Sequence, residues 1–498
     1  MSSLVEFSVP TLIRPLLGIV GVACLLQVAC NGFIGTGEAG GSSENPSGQP
    51  DGPSANPTDA NGALKCTAPA VGPSPLRRLT SAEYNNAVAD LLGDTTRPGA
   101  TFPADNRVGL FDNTAAVQTV PLLLAEKYVE SAAALAEGIK DVGALVGCDV
   151  AAADATACVT RFIERFGRRA YRRPLLPAEV SSLLQIWNGT TGEADAVTGV
   201  RGVVAAVLVS PHFLFRPEFG SGPSSIPGTQ KLSQFELAAR MASLLWASPP
   251  DEALLDAAAA NQLGTREQVA TQARRLLADP KARAANSSFY EQWLGLELLS
   301  TTTKDPALYP EFDDALKADM REETKRFVEH VVWQGDARAS TLLTAPYSFL
   351  NGRLAKLYGV TGPTDNATFT QTTLDATQRG GFLTQPGLLA ALSSPGESSP
   401  FKRGAWVRRR LLCHDLPDPP NNVPELPEPE EGISGRQHAA IHSSTPACSG
   451  CHSLIDGLGF GLEEYDAVGR FRTLDRGVAV DSSGEVTDEV MTSGLAPG

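Results

Sequence analysis

The chain has 498 residues, of which 42% are hydrophobic and 19% are charged. This composition is typical of a globular protein, and the length alone suggests about three domains. The formal net charge of -15 argues against a general nucleic-acid binder, which needs a basic face. The same charge disfavours strong attraction to an anionic membrane surface, and no nucleic-acid partner is expected.

Residues 1–30 are predicted to be a signal or lipoprotein leader that does not belong to the fold. Arg14 precedes an apolar run from Leu16 to Ala29, which is too short to span a bilayer comfortably but suits a signal-peptide core. The run ends at Cys30, and a cysteine at this boundary resembles a lipoprotein processing site, where the mature protein would begin with a lipidated Cys30. A simple secretory signal or an uncleaved anchor is the alternative.

Residues 31–65 are predicted to form a flexible tether. From Gly35 to Lys65 the sequence is dominated by Gly, Ser, Pro, Asn and Asp, so the segment has almost nothing to bury and is expected to stay solvated. A tether behind a lipidated cysteine predicts attachment to a membrane through a lipid anchor. The expected location is the cell envelope, as an outer-membrane lipoprotein or a periplasmic protein.

The eight cysteines are consistent with export. Outside the leader and the motif near the C-terminus, four remain: Cys66, Cys148, Cys158 and Cys413. In an oxidising compartment an even remainder predicts two disulfides, and four cysteines allow three pairings. Cys148 with Cys158 is the preferred pair because a short loop closes it, which leaves Cys66 with Cys413. Four buried free thiols are the alternative.

The body of the chain is predicted to be mainly α-helical. Two capping boxes, Thr80 with Glu83 and Ser233 with Glu236, mark helix starts, and apolar residues recur at helical spacing behind both. The sequence shows neither a strand-rich region nor alternating strands and helices. The predicted helices cover 80–93, 121–140, 155–171, 199–210, 233–246, 251–261, 265–277, 281–297, 312–333 and 401–413.

A Cys-Ser-Gly-Cys-His motif at 448–452 carries the strongest functional signal. It follows a polar stretch at 361–378, where a domain boundary is expected, and a proline-rich strap at 416–429. Two sulfurs separated by two residues can add across the two vinyl groups of one haem, and the adjacent histidine then lies beneath the iron. The motif therefore predicts one covalent haem c on Cys448 and Cys451, with His452 as the proximal iron ligand.

A CxxCH motif has two other uses in proteins. Cys448 and Cys451 with His442 or His452 could hold a structural zinc ion, but adjacent Cys451 and His452 suit one tetrahedral site poorly, and no second CxxC is present. A thioredoxin-type dithiol would need a βαβ setting that the sequence lacks.

The distal iron ligand is not decided by the sequence. Met491 is the only methionine after the motif, and His442 lies just before it, so either is a candidate. His438 is expected to be a solvent-exposed or capping histidine. A methionine ligand would raise the reduction potential and favour electron transfer, whereas an open position would permit small-ligand or peroxide chemistry.

Charged clusters elsewhere have structural as well as functional interpretations. The arginines between 168 and 173 could pair with a haem propionate or a partner's carboxylate, and ion pairs within the fold are at least as well supported. Glu322 and Glu323, followed by basic residues, predict a solvated helix face. Arginines also make the predicted helix at 401–413 a basic amphipathic one.

A series of different short motifs occurs along the chain in a specific order. They are Arg77-Arg78-Leu79-Thr80, Glu83-Tyr84-Asn85-Asn86 and Asp90-Leu91-Leu92-Gly93, then Phe166 to Leu175, Ser210 to Arg216, Leu244-Leu245-Trp246, and Cys448 to His452 with Asp456, Gly459-Phe460, Leu462-Glu463, Asp466, Gly469-Arg470 and Arg472. In these motifs the sequence resembles the planctomycete-type cytochrome c-like multidomain family. Its members are built from serial domains of unknown function and carry a CxxCH haem-binding segment.

The resemblance implies a mainly α fold, with several small helical modules in series and a C-terminal cytochrome c-like haem module. The expected boundaries are 66–143, 144–222, 229–360 and 379–498. Because family members usually continue into a further helical domain, truncation of the last module is left open.

Electron transfer through one haem to an unknown redox partner protein is the favoured function. A haem-dependent oxidoreductase acting on an unknown substrate is the first alternative. A non-enzymatic structural or binding lipoprotein with a haem or zinc site is the second, so the sequence leaves enzymatic activity undecided.

Overall fold

Helix caps and apolar faces decide where this chain becomes helical. A computed structural model describes residues 73–484 except 108, 153–154, 192–195, 415, 417–431 and 445. The predicted leader with Cys30, the tether, Cys66, most of the proline-rich strap and Met491 lie outside the described residues. Within the described part, no helix is long and apolar enough to cross a membrane.

Both predicted capping boxes are present. The Thr80 hydroxyl accepts a hydrogen bond from the backbone N–H of Glu83, and the Glu83 carboxylate accepts one from the backbone N–H of Thr80. Ser233 and Glu236 form the same reciprocal pair. Each box satisfies backbone donors that the first turn of a helix leaves without a partner, and both helices therefore begin where the sequence predicts.

Residue contacts group the described chain into two units, residues 73–285 and 286–484. Helices dominate the first unit, and its two short strands pair antiparallel. Its elements are β1 (Arg77–Arg78), α1 (Ser81–Leu92), α2 (Leu122–Glu137), α3 (Val142–Val146), α4 (Ala155–Tyr171), α5 (Pro177–Thr191), α6 (Ala196–Val209), α7 (Pro211–Leu214), β2 (Phe215–Arg216), α8 (Gln234–Trp246), α9 (Glu252–Ala259) and α10 (Arg266–Ala278). The next helix, α11 (Pro280–Leu294), contains the boundary between the units.

The core of the first unit combines one helix face with an aromatic cluster. Phe162 and Phe166 of α4 are buried, as the helical spacing of the sequence predicts. Tyr84 packs edge-on against Phe102, with the ring centroids 5.0 Å apart. Aromatic rings in this geometry add to the stabilisation that burial of their area provides.

A disulfide joins Cys148 to Cys158, with their Cα atoms 6.6 Å apart, and it confirms the preferred pairing. Cys413 is exposed and is not bonded to any cysteine of the described part of the chain. Its predicted partner, Cys66, lies outside that part, so the Cys66–Cys413 pair stays a prediction.

The arginine cluster at the end of α4 makes contacts within its own unit. Arg168 pairs with Glu252 at 2.7 Å, and Arg173 pairs with Glu179 at 2.7 Å. Arg172 is buried and donates to backbone carbonyls of the α7 segment. The ion-pairing interpretation of this cluster is therefore confirmed for Arg168 and Arg173.

The second unit is also mainly helical, with two further pairs of short antiparallel strands. The predicted boundary at 361–378 contains one of these strands. The elements are α12 (Asp314–Trp333), α13 (Ala339–Thr344), β3 (Tyr347–Leu350), α14 (Gly352–Tyr358), β4 (Thr370–Thr373), α15 (Pro386–Ala391), α16 (Pro400–Trp406), α17 (Gly435–Ser443), α18 (Pro446–Phe460), β5 (Leu474–Asp475) and β6 (Val478–Ala479). The mainly α fold class is confirmed, because the sheets in the described residues are all two-stranded.

The prediction that Glu322 and Glu323 lie on a solvated face of α12 is wrong for Glu323. Glu322 pairs with Arg326 at 2.7 Å on the outer side, but Glu323 has an exposed fraction of 0%. Its carboxylate accepts hydrogen bonds from the hydroxyls of Ser348, at 2.6 Å, and Tyr358. Adjacent helix residues point about 100° apart, so consecutive acidic residues need not share a face. Burial raises the pKa of Glu323 to about 7.

The predicted basic amphipathic helix at 401–413 also needs correction. Helix α16 ends at Trp406 and passes into a wider turn at Val407–Leu411. Arg403 and Arg408 are buried, with exposed fractions of 0% and 4%, whereas Lys402 and Arg409 are exposed and show the solvated basic character that the pattern predicted. The buried arginines donate to backbone carbonyls around the C-terminal helices.

Candidate haem-attachment site

Helix α18 brings the whole CxxCH motif onto one surface. Cys448, Cys451 and His452 occupy positions i, i+3 and i+4 of this helix, and residues at that spacing lie on the same face. Cys448 is buried, Cys451 is half-buried, and both thiols are free. A Cβ atom at Gly450, between the two cysteines in the sequence, would meet no heavy atom within 4 Å.

The His452 ring is held by a carboxylate one helical turn further along. Its Nδ1 lies 2.8 Å from Oδ1 of Asp456, and both side chains have an exposed fraction of 13%. The other Asp456 oxygen, Oδ2, accepts a hydrogen bond of 2.5 Å from the Ser443 hydroxyl at the end of α17. With Nδ1 engaged, Nε2 is the nitrogen of His452 left for an iron atom.

Two further rings pack against His452. The ring centroid of Phe401 is 4.4 Å away and that of His442 is 5.0 Å away, both in edge-on orientation. Burial lowers the pKa of His442, and the neighbouring His452 lowers it further. His438, one turn before His442, is buried rather than exposed, and its Nε2 has no hydrogen-bond partner within the described part of the chain.

The position of His442 bears on its predicted role as distal ligand. Ligands on opposite faces of one haem are separated by the iron, whereas His442 and His452 touch ring to ring. His442 is thus a neighbour of the proximal ring in this arrangement. Met491, the other candidate, lies outside the described residues. Both distal assignments stay predictions.

Helix α16 fixes the position of α18 through a backbone-to-backbone crossing. A Cβ atom at Gly404 would overlap the Ile455 carbonyl oxygen, and one at Gly459 would overlap the Pro400 carbonyl oxygen. Only glycine at both positions allows the two helices to approach this closely.

Arg403 adds hydrogen bonds and an ion pair at the same crossing. Its guanidinium donates to the carbonyls of Tyr465 and Asp466, each at 2.8 Å, and lies 3.4 Å from the Glu463 carboxylate. Both charged side chains of the Arg403–Glu463 pair are almost fully buried. The loop that follows α18 is thereby attached to α16, and the orientation of the CxxCH helix follows from it.

The described residues fit a covalently attached haem better than a zinc ion. No group of three or more His, Cys, Asp or Glu side chains that could hold a metal occurs among the residues the structure describes. Two free thiols and an imidazole on one helix face, with the Nδ1 of that imidazole already engaged, match the donors that a c-type haem needs.

The sequence predicts Cys448, Cys451 and His452 as site residues, but it missed three residues that hold or contact the His452 ring or its carboxylate partner. Asp456 was quoted only as part of a motif, although its i+4 spacing from His452 on a helix signals a pair. Ser443 and Phe401 come from two other helices, and no local pattern connects either of them with His452.

Small helical modules in series, the last of which carries CxxCH on a helix, define a cytochrome c-like class of protein. Four family models match the chain in order, each described as a protein of unknown function: PSD3 (DUF1587) at 77–139, PSD5 (DUF1595) at 158–218, PSD4 (DUF1592) at 232–360 and PSCyt3 (DUF1588) at 379–475. The chain belongs to the planctomycete-type cytochrome c-like multidomain family, and the resemblance seen in its motifs is confirmed. No curated protein and no solved structure matches it.

Proposed function

We propose that this protein is an exported c-type cytochrome that holds one haem covalently through Cys448 and Cys451 and transfers single electrons. The observation that carries the proposal is the shared helix face of two free thiols and His452. The match of this segment to a model named PSCyt3 supports it. A bound haem would supply a one-electron redox couple.

Different residues of the chain would bind different parts of the haem. Cys448 and Cys451 would form the two thioether bonds, and their positions on α18 fix the orientation of the group relative to the helix. His452 would bind the iron through Nε2, while Asp456 holds the other ring nitrogen. Phe401 packs against the His452 ring and limits the access of water to it.

Export and membrane attachment are part of the proposal. The apolar leader ending at Cys30 supports lipidation of that cysteine, and the tether at 31–65 would separate the anchor from the folded units. The Cys148–Cys158 disulfide supports an oxidising compartment, since such bonds are rare in reducing ones. The proposed location is the cell envelope, with an unidentified redox protein as the partner.

A haem-dependent oxidoreductase is the second candidate, and the Asp456–His452 pair favours it. A carboxylate bonded to a metal-binding histidine makes the imidazole a more basic ligand, and a haem bound there would supply peroxide chemistry. In that case the sixth iron position would be open rather than occupied by His442 or Met491.

The decisive experiment is expression of the full-length chain together with haem-maturation machinery. Wild-type protein is expected to keep haem staining after denaturing electrophoresis, whereas the double variant Cys448→Ala/Cys451→Ala loses it. Cys413→Ala, which removes a cysteine outside the motif, is the matched control and is expected to stain normally. Absence of stain in correctly matured wild-type protein would overturn the proposal in both its forms.

The absorption spectrum then separates the two candidates. A six-coordinate, low-spin haem supports electron transfer. A high-spin haem that binds carbon monoxide or peroxide supports the oxidoreductase.

Lipidation is tested separately by incorporation of labelled palmitate into the expressed chain. Cys30→Ser is expected to abolish the label, and Cys24→Ser, which changes the other leader cysteine, is expected to leave it. Equal labelling of both variants would contradict a lipid anchor on Cys30.

A further inference from the structure

Among the residues that the structure describes, Asp456 is the carboxylate bonded to the proposed iron ligand, and both its oxygens accept hydrogen bonds. Oδ1 lies 2.8 Å from Nδ1 of His452, and Oδ2 accepts the Ser443 hydroxyl at 2.5 Å. Its side chain has an exposed fraction of 13%. A carboxylate at this depth has little water to screen its charge, so its field acts strongly on neighbouring groups.

The bond determines which nitrogen of His452 carries the proton. A carboxylate only accepts hydrogen bonds, and therefore Nδ1 must donate. The remaining lone pair is then on Nε2, which is the arrangement that a proximal ligand requires. Ser443 belongs to α17, whereas Asp456 and His452 belong to α18, so the orientation of the carboxylate is set by a contact between two helices.

We infer that Asp456 is the positioning residue of the haem site: it fixes the tautomer and orientation of His452 and lowers the reduction potential of the bound iron. The inference rests on the proposed function, because it concerns a haem held by His452. The buried negative charge stabilises oxidised iron relative to reduced iron, and it makes the imidazole a more basic ligand. Ser443 contributes by keeping the carboxylate in line with Nδ1.

The first test measures the reduction potential of matured protein by spectroscopic redox titration. Asp456→Asn keeps a hydrogen-bond acceptor but removes the charge. It is expected to keep covalent haem and to favour the reduced state at least tenfold more than wild type, which is 59 mV for a one-electron couple. Asp456→Glu, which retains the charge, is expected to stay closer to wild type.

Serine variants on the two helices keep the inference testable if the aspartate variants do not fold. Ser443→Ala removes the support of Asp456 and is expected to shift the potential in the same direction by a smaller amount. Ser453→Ala is the matched control, since within the described part of the chain the hydroxyl of this exposed serine donates to the Gly450 carbonyl of its own helix. If the Ser443–Asp456 hydrogen bond only joined α17 to α18, Ser443→Ala would lower stability without changing the reduction potential.

A second readout uses haem-free protein. Nitrogen-15 NMR of the histidine rings is expected to show His452 protonated at Nδ1 in wild type, with loss of the single tautomer in Asp456→Ala. Haem-loaded Asp456→Asn and Ser443→Ala with wild-type potentials would overturn the inference while the proposed function stood. Wild-type protein without covalent haem would overturn the proposed function itself, and the inference with it.

Discussion

Gly459 of α18 lies against Pro400 at the start of α16, so closely that a Cβ atom on Gly459 would overlap the Pro400 carbonyl oxygen. At this crossing the backbones of the two helices are therefore in direct contact. Two glycines, at 404 and 459, mark this crossing, and they lie 55 residues apart in the sequence.

Gly459→Ala is expected to lower the free energy of unfolding of the second unit by about 1–3 kcal/mol, because inserting a methyl group into a packed crossing forces the helices apart. Gly450→Ala on the same helix is the control. Its Cβ would meet no atom within 4 Å, and better helix propensity would stabilise it by up to about 1 kcal/mol. The denaturant midpoints of the two haem-free variants measure this difference in stability. Equal midpoints would contradict a close contact between the backbones at Gly459 and Pro400.

Arg403→Met is expected to destabilise the second unit by about 3–5 kcal/mol, since it leaves the buried Glu463 carboxylate with less positive charge nearby. Adding Glu463→Gln removes that charge and is expected to recover part of the loss. Arg409→Met, which changes an exposed arginine of the next helical turn, should stay within about 0.5 kcal/mol of wild type. A double-mutant cycle in denaturant measures the coupling, and additive losses would show that Arg403 and Glu463 do not interact.

Glu323 is expected to make stability depend on pH. Burial raises its pKa from 4.5 to about 7, although Arg379 nearby opposes the rise. The folded state therefore favours the neutral acid, so this group's stabilisation is complete below pH 4.5 and is lost as the pH rises through 7.

Glu323→Gln keeps the acceptor for Ser348 and Tyr358 but cannot ionise. Compared with wild type, it is expected to unfold at similar denaturant concentration at pH 4.5 and at clearly higher concentration at pH 8, with a difference on the order of 1–3 kcal/mol. Glu322→Gln, on the outer side of α12, is expected to lack this pH-dependent gain. Parallel curves for Glu323→Gln and wild type would rule out the shifted pKa.

The Cys148–Cys158 disulfide closes a short loop in the first unit. Its loss in Cys148→Ser/Cys158→Ser is expected to lower stability by about 2–3 kcal/mol, mainly because the unfolded chain gains freedom. Reduction of wild-type protein should lower stability at least as much, because it would also break the predicted Cys66–Cys413 bond, and Cys413→Ser measures that bond's separate contribution. Mass spectrometry of alkylated peptides checks the pairing directly.

Local sequence signals predicted much of the helical structure. Thr80 and Ser233 marked helix starts because an N-cap and its partner lie three residues apart. The apolar face of α4 followed from helical spacing, and the Cys148–Cys158 pair from a short separation. The CxxCH motif was also a local signal, because it lies within five consecutive residues, but the helix that places Cys448, Cys451 and His452 on one face was not predicted.

Contacts between distant segments could not be predicted in this way. Glu322 and Glu323 have the same chemistry and adjacent positions, yet only the second is buried, since Ser348 and Tyr358 reach it from other elements. Arg403 was assigned to a basic surface because no sequence pattern shows that backbone carbonyls some 60 residues later accept its hydrogen bonds.

At the CxxCH motif, too, some features could be predicted from the sequence and others could be seen only in the structure. By itself the sequence predicted Cys448, Cys451 and His452 as a candidate haem-attachment motif, and it predicted the helical character of the chain, because each depends on spacing along one short segment. Only the tertiary structure decided that Asp456 and Ser443 hold the ring of His452, that Phe401 and His442 pack against it, and that α16 supports the helix beneath it. Those contacts join side chains from three helices, and the packing of the helices brings them together.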